Sequence, residues 1–221
     1  MSISDCQPAL PSRRDGLLSQ EVFDRLHSVL SWVPLYFLNR TERDASAHPL
    51  DMYWYYPFAM VDDKYADDAE PTLAELDDNL SVVHDVWKIV REAVGVPVRL
   101  YECEYTANGY GNEGHPHRDS PRVDVRPAHI AAIVYCNPEW KIEWAGETIL
   151  FDDAGEAMAA VLPKPGRITF IHGDPLHVAR GASRICPWPR RVLVYKMWRT
   201  DIDGAPPSAD TPVALSETHR S

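Results

Sequence analysis

The chain has 221 residues, of which 45% are hydrophobic and 25% are charged, and its formal net charge is -11. This composition is typical of a soluble globular domain with a sizeable core. The acidic balance argues against a protein that follows nucleic-acid phosphates, because that task requires a basic surface. It makes a protein substrate with basic residues, or a small cationic molecule, electrostatically easier to bind. The four cysteines are scattered without a Cys-x-x-Cys pair, which argues against a disulfide framework and a structural zinc site.

No apolar segment of the sequence approaches the length of a membrane-spanning helix. The first thirty residues carry charges throughout and lack the apolar core of a signal peptide. We therefore expect a cytoplasmic protein with no membrane contact and no nucleic-acid partner. The sequence does not determine the oligomeric state.

The N-terminal segment begins with residues 1–18, which are polar and are expected to form a loose lead-in. Ser19 is a predicted N-cap, since Val22 and Leu26 follow at helical spacing. Pro34 ends this helix or follows it closely.

Two aromatic-rich segments follow the first helix. Residues 32–38 are predicted to form a strand, and residues 51–60 read DMYWYYPFAM. The four consecutive aromatic residues of the second segment either cover the core as a strand or line the mouth of a substrate cavity. An acidic stretch at 61–70 comes next.

The clearest helix signal lies at residues 72–94. Thr72 and Glu75 form a capping-box pattern, and apolar residues recur at helical spacing after them. Gly95 and Pro97 are stop signals. We expect this helix to pack on the outer face of a sheet.

From residue 98 onward, short apolar segments alternate with turn residues, which predicts strands of a sandwich or barrel. These segments are 98–105, 128–136, 146–151, 158–162, 166–172 and 191–198. Residues 203–221, rich in Pro, Ala, Ser and Asp, are expected to be disordered.

A His-x-Asp pair, His117 and Asp119, ends the glycine-rich stretch YTANGYGNEGHPHRD. In an extended segment these two side chains point to the same face, so they can converge on one metal ion. His177 is the predicted third ligand, because two histidines and one carboxylate form the preferred site of non-haem Fe(II) oxygenases. His172 is the alternative distal ligand, and a three-histidine site that includes His115 is the alternative to the carboxylate.

The order of the motifs is more specific than any one of them. Tyr105 and the His-x-Asp pair are followed by IVYCNPEW at 133–140, WAGET at 144–148, the segment of His177, and Arg191 at the start of RVLVYKMW. Over roughly residues 98 to 200 the chain resembles the prolyl-4-hydroxylase-like branch of the Fe(II)/2-oxoglutarate-dependent oxygenases. Cys136 and Ala145 stand where that family usually has Leu and Gly.

The resemblance implies a mainly β fold with flanking helices (α+β), built on a double-stranded β-helix, the cupin-like jelly roll. Residues 1–97 would form a supporting region packed on the core. Residues 98–200 would form the catalytic jelly roll and 201–221 the tail, within a single domain overall.

The resemblance also implies the site residues. Its metal ligands would be His117, Asp119 and His177. Arg191 would anchor the far carboxylate of 2-oxoglutarate, with Arg190 as the rival because the spacing from the distal histidine is longer than usual. The tyrosines near the cosubstrate would be Tyr105 and Tyr135.

The implied activity is that of a dioxygenase that hydroxylates an unactivated C–H bond and converts 2-oxoglutarate to succinate. It would use Fe(II) and O2, with ascorbate as a candidate reductant. The expected substrate is a small molecule, such as an amino acid or a natural-product intermediate. The alternatives are a prolyl or other protein side-chain hydroxylase, and a cupin-type metal enzyme or binding module that is not an oxygenase.

Overall fold

The structure is a computed structural model that describes residues 11–39, 52–65, 71–112 and 114–202. The predicted disordered tail at 203–221 lies outside the described residues. The strands are, in chain order, β1 (Ser12–Arg14), β2 (Tyr36–Asn39), β3 (Met52–Met60), β4 (Val98–Asn108), β5 (His129–Tyr135), β6 (Thr148–Phe151), β7 (Ala157–Val161), β8 (Ile168–His172), β9 (Leu176–Ala179) and β10 (Arg190–Arg199).

These strands form two antiparallel sheets. The large sheet has seven strands in the order β1-β8-β5-β10-β4-β3-β2, and the small sheet has the order β7-β6-β9. The sheets face each other across a buried apolar layer, to which Ile133 and Val192 contribute from the large sheet and Leu150 and Val161 from the small one. This is the mainly β jelly-roll architecture predicted from the sequence.

Two α-helices, α1 (Gln20–Leu30) and α2 (Ser81–Val94), cover the other face of the large sheet. Leu26 of α1 and Val86 of α2 are fully buried in one cluster with Leu193 of β10. Tyr195 donates a hydrogen bond of 2.6 Å to the Val83 carbonyl, which joins β10 to α2. Neither helix is long and apolar enough to span a membrane.

The predicted N-terminal helix is confirmed, with Ser19 as its N-cap and a 3.2 Å bond from the Val22 amide to the Ser19 hydroxyl. The predicted start of the second helix at Thr72 is wrong. Thr72 makes no capping bond, and two single 3-10 turns occupy residues 73–80. Asp77 accepts a bond from the Asn79 amide, so the side chain offers the backbone a local turn in place of the helix.

The expectation of a loose lead-in is also wrong where the structure describes that segment. Ser12–Arg14 forms the edge strand β1, which pairs with β8 from Ser12 opposite Phe170 to Arg14 opposite Ile168. Its polar sequence lacks the apolar alternation of a buried strand, so the backbone pairing with β8 was not visible in the sequence. The division into a support region (1–97) and a catalytic core (98–200) remains a prediction, since β1, β2 and β3 belong to the same sheet as the core strands.

Candidate metal and cosubstrate site

A cavity of about 820 Å³ opens between the two sheets. Its walls come from alternate residues of β4, β5 and β10 in the large sheet, from β9 in the small sheet, and from the loop at 114–121. Because alternate residues of a strand point to opposite faces, β4, β5 and β10 each give one set of side chains to the cavity and the other to the opposite face of the sheet.

His117, Asp119 and His177 meet at this cavity, with one possible ligand atom from each lying within 4.8 Å of the other two. The backbones of His117 and His177 exchange two hydrogen bonds of 2.9 Å, which fixes the loop against β9. The imidazole ring centres are consequently 4.6 Å apart. The structure thus brings the three predicted ligands together, while His172 lies outside the group.

Backbone carbonyls orient both imidazoles. Nδ1 of His117 lies 3.0 Å from the His115 carbonyl, and Nδ1 of His177 lies 2.9 Å from the Pro175 carbonyl. Since a carbonyl only accepts, each Nδ1 carries the proton and each Nε2 keeps a free electron pair in the neutral ring. This is the tautomer that a metal ligand needs.

The carboxylate of Asp119 divides its two oxygens between different neighbours. Oδ2 lies 3.8 Å from Nε2 of His177 and 3.9 Å from Nε2 of His129. Oδ1 lies 3.4 Å from Nζ of Lys196. Burial by itself would raise the pKa of Asp119, but the positive charge of Lys196 holds it well below the usual range. The group is therefore an anion ready to bind a cation.

Asp174 secures the loop that carries Asp119. Its Oδ1 accepts a 2.7 Å bond from the Asp119 amide, and its Oδ2 accepts a 2.8 Å bond from the Ser120 amide. Burial and the nearby Asp119 charge raise the pKa of Asp174 to about 6. Sequence reasoning missed Asp174, whose only signal is the Gly-Asp-Pro turn that immediately precedes the distal histidine segment.

Lys196 is a second functional residue that sequence reasoning missed. Its ammonium lies 2.7 Å from Glu102 and 3.4 Å from Glu104, in addition to its contact with Asp119. The three carboxylates raise the pKa of Lys196 well above its usual range against the effect of burial. Its sequence signal is the two-residue alternation of side chains along β10, which places Lys196 on the face that carries Arg190 and not on the face of Arg191.

Of the two adjacent candidates, Arg190 lines the cavity and Arg191 does not, which corrects the expectation for Arg191. Along β10, Arg190, Val192, Val194 and Lys196 line the cavity. Arg191 falls on the other face, with Leu193 and the helix-side cluster. Adjacent residues of a strand lie on opposite faces, so only one of the two arginines can line the cavity.

Arg190 is buried at the end of the cavity far from Lys196, with only 1% of its surface exposed. Its Nε donates to the Gly146 carbonyl at 2.8 Å, and its Nη2 donates to Thr148 Oγ1 at 2.7 Å. Gly146 has φ +81, and a Cβ there would lie 2.9 Å from the Trp140 ring, so this position requires glycine. Nη1 of Arg190 is buried without a hydrogen-bond partner among the described residues.

The two predicted tyrosines have different positions. Tyr135 lies beside Arg190, whose guanidinium is 5.3 Å from the ring centre, and its hydroxyl is 2.9 Å from Thr148 Oγ1. Tyr105 is buried in the cluster beneath the helices and does not line the cavity. Burial raises the pKa of Tyr105.

Comparisons with known proteins give matches of structure only. No family model and no curated protein matches the chain. A 2OG-Fe(II) oxygenase family oxidoreductase from Burkholderia pseudomallei aligns with a TM-score of 0.61 at 12% identity, over 86% of this chain and 85% of that one. The fold is that of the 2OG-Fe(II) oxygenases.

Two further solved structures extend this similarity of fold. A prolyl hydroxylase from Trichoplax adhaerens, in complex with a hypoxia inducible factor peptide fragment, has a TM-score of 0.58 at 14% identity over 86% of this chain and 82% of that one. The non-heme α-ketoglutarate-dependent carbocyclase SnoK from nogalamycin biosynthesis has a TM-score of 0.56 at 12% identity, over 86% of this chain and 79% of that one. The oxygenase fold thus occurs with a peptide in one relative and in small-molecule biosynthesis in another.

The side chains of this site fit the groups that the oxygenase fold implies. Two neutral imidazoles with free Nε2 atoms and one ionised carboxylate are a suitable donor set for Fe(II). At the other end, the unpartnered Nη1 of Arg190 is a buried donor for a carboxylate oxygen of 2-oxoglutarate.

Proposed function

We propose that the protein is an Fe(II)- and 2-oxoglutarate-dependent dioxygenase that hydroxylates a small molecule. The observation that carries this proposal is a buried arginine, Arg190, in the same cavity as the His117, Asp119 and His177 group. A metal site alone fits several cupin-type proteins. A buried cation with an unused donor, lying deep behind that site, fits a dicarboxylate cosubstrate.

In the proposed holoprotein, His117 and His177 hold Fe(II) through Nε2 and Asp119 holds it through its carboxylate. The bound iron would supply oxidation by O2 coupled to the conversion of 2-oxoglutarate to succinate. The backbone carbonyls behind both imidazoles keep the rings in their binding orientation. Lys196 keeps Asp119 ionised.

Arg190 is the proposed anchor for the far carboxylate of 2-oxoglutarate. Thr148 and Gly146 fix its guanidinium through two hydrogen bonds, so the remaining Nη1 is held ready. A planar guanidinium binds a carboxylate through paired hydrogen bonds. Tyr135 flanks the same guanidinium and limits where the carboxylate can lie.

Part of the cavity wall is apolar. Ala131, Ile133, Val192 and Val194 line it between the metal end and the arginine end. A cavity of about 820 Å³ lies within the range that holds small-molecule ligands. These features support a compact substrate enclosed with its cosubstrate.

The first test is an anaerobic titration with Fe(II), with and without 2-oxoglutarate. We expect a weak visible charge-transfer band that requires both. Arg190→Lys should weaken 2-oxoglutarate binding about ten- to hundredfold, because a point charge cannot replace a bidentate contact worth roughly 1.5–3 kcal/mol. Arg191→Lys is the matched control and should leave the affinity unchanged. A large effect of Arg191→Lys with none of Arg190→Lys would contradict the assignment.

A second measurement addresses the substrate. Consumption of 2-oxoglutarate is compared in the presence of free amino acids, small metabolites and peptides. Stimulation by small molecules supports the proposal. Strong stimulation by a peptide or a folded protein, with none by small molecules, would favour the alternative of a prolyl or other protein side-chain hydroxylase, for which the peptide-bound relative is the precedent.

A further inference from the structure

Lys64 lines the cavity beside the proposed metal site. Its Nζ donates a 2.6 Å hydrogen bond to the backbone oxygen of Asp119 and lies 5.4 Å and 5.8 Å from the ring centres of Tyr65 and Tyr101. In the part of the chain that the structure describes, no carboxylate forms a salt bridge with this ammonium. An ammonium has three N–H donors, so a single acceptor leaves most of its hydrogen-bonding capacity unused.

The Lys64 side chain is half-buried, and its ammonium contacts one backbone oxygen and the faces of two aromatic rings. A buried charge without a counterion is costly, and an anion bound next to it would relieve that cost. The position is therefore suited to an anionic ligand.

Arg126 is a second cation at the same end of the cavity. Its Nε donates a 3.2 Å hydrogen bond to the Ser120 carbonyl and lies 3.9 Å from Oδ2 of Asp174. Lys64 and Arg126 are thus bonded to the carbonyls of the consecutive residues 119 and 120. Two cations from distant parts of the sequence thus bind two successive peptide units at the end of the His-x-Asp pair.

These cations lie too far from Arg190 to share its ligand carboxylate. Arg190 and Lys196 are six residues apart on β10, which corresponds to about 20 Å along an extended strand. Lys196 and Lys64 both contact Asp119, so Lys64 lies at the metal end. The cavity therefore has two separate basic groups, and the cosubstrate's far carboxylate accounts for one of them.

We propose that the substrate carries a carboxylate, which Lys64 and Arg126 bind at the metal end of the cavity. The N–H donors left on the ammonium and the guanidinium match a carboxylate. Glu102 and Glu104 lie nearby on β4 and disfavour a doubly charged phosphate. This inference rests on the proposed function and narrows its substrate to small acids, among them free and N-acylated amino acids.

The test measures binding directly and does not require the natural substrate. Protein loaded with Zn(II), as a diamagnetic substitute for Fe(II), and with saturating 2-oxoglutarate is mixed with N-acetyl amino acids or with their primary amides. Saturation-transfer NMR then reports which compounds bind. Each acid and its amide differ in charge but hardly in shape, so the pair isolates the carboxylate.

We expect at least one acid to bind about ten- to hundredfold more tightly than its amide, the ratio for one charge-assisted contact. Lys64→Met should abolish this preference and Lys64→Arg should keep part of it, while near-UV circular dichroism monitors folding. Lys88→Met, at an exposed lysine bonded to Asp85, is the control and should bind like the unchanged protein. Lys64→Met should leave the affinity for 2-oxoglutarate unchanged.

Three results would overturn the subsite: no acid binds, acids and amides bind equally, or the preference survives in a folded Lys64→Met protein. A loss of 2-oxoglutarate affinity in Lys64→Met would also overturn it, since Lys64 would then serve the cosubstrate. The Fe(II) and 2-oxoglutarate charge-transfer band is recorded on the same preparation. If the band forms and no acid binds, the subsite fails and the proposed function stands; if the band never forms, the proposed function fails.

Discussion

At the scale of single residues, backbone carbonyls decide what the site can bind. Nδ1 of His117 and Nδ1 of His177 each donate a hydrogen bond to the carbonyl two residues earlier, at His115 and Pro175. The same contact thus occurs at both histidines and leaves both Nε2 atoms free. His115 lies next to His117, with ring centres 5.8 Å apart, but its side chain is not one of the three grouped ligands.

This arrangement predicts the outcome of alanine substitutions. His117→Ala, Asp119→Ala and His177→Ala should each abolish Fe(II)-dependent 2-oxoglutarate turnover and leave the fold largely intact, because each removes one of three ligands. His115→Ala and His172→Ala should keep metal binding, measured by anaerobic Fe(II) titration. Metal binding that survives Asp119→Ala but is lost in His115→Ala would instead support a three-histidine site.

Charge balance is the second feature at this scale. Three carboxylates, Glu102, Glu104 and Asp119, surround Lys196, and the nearby Lys64 lacks a carboxylate partner among the described residues. Burial alone would raise the pKa of Asp119, and the positive charge of Lys196 holds it low. Lys196 thus keeps the carboxylate of Asp119 ionised, while Lys64 contacts only the backbone oxygen of Asp119.

At the scale of secondary-structure elements, the two-residue period of β10 separates two functions. One face carries Arg190, Val192 and Val194 to the cavity, and the other carries Leu193 and Tyr195 to the helices. A shift of one residue would exchange the two sets. Pairing with β4 and β5 on both sides fixes the register.

The N-terminal ends of the two predicted helices allow a comparison of a capping residue, Ser19, with a residue that makes no capping bond, Thr72. Ser19→Ala should destabilise the protein by about 1 kcal/mol, since the hydroxyl caps α1 and its loss leaves the Val22 amide without that bond. Thr72→Ala should change the free energy of unfolding by less than about 0.5 kcal/mol, because Thr72 makes no capping bond. Urea unfolding of the three proteins measures both values. A large loss in Thr72→Ala would mean that the capping box forms after all.

At the scale of the whole molecule, the N-terminal segment is held by contacts that span most of the chain. Asp15 accepts bonds from Lys164 at 2.9 Å and from Arg167 at 2.8 Å, just after β1 pairs with β8. These two cations lower the pKa of Asp15 below its usual value of 3.8. The ionised carboxylate thus stabilises the folded state.

This contact predicts a pH-dependent stability difference. Because the folded-state pKa of Asp15 lies below 3.8, its contribution is complete above that pH and disappears as the pH falls through the folded value. Asp15→Asn should therefore lower Tm at pH 7, and the gap to the unchanged protein should narrow below about pH 3.8. The loss at pH 7 should be about 1 kcal/mol or less, since the Asp15 side chain is 44% exposed and water screens it. A Tm difference that does not change with pH would show that the loss of stability has a cause other than the charge of Asp15.

The sequence by itself determined the class of fold and predicted three side chains, His117, Asp119 and His177, that the structure groups together. Short apolar segments of period two predict strands, and the spacing of the His-x-Asp pair places both side chains on one face, because these are local properties of an extended chain. The order of motifs indicated the oxygenase fold, and it predicted His177 as the distal ligand. Ser19 and Gly95 marked helix boundaries because a cap depends on neighbouring residues alone.

Only the tertiary structure decided which face of each strand borders the cavity. Arg190 and Arg191 are the same residue type and are adjacent in sequence. Only the packing of α2 on one face of β10 leaves Arg190 on the face that borders the cavity. The same holds for Lys64, Arg126 and Lys196, which lie far apart in sequence and converge on residues 119 and 120. The environment of these cations depends on which charged groups the fold brings next to them. A sequence pattern shows the period of a strand, but it does not show which residues of other segments pack against that strand.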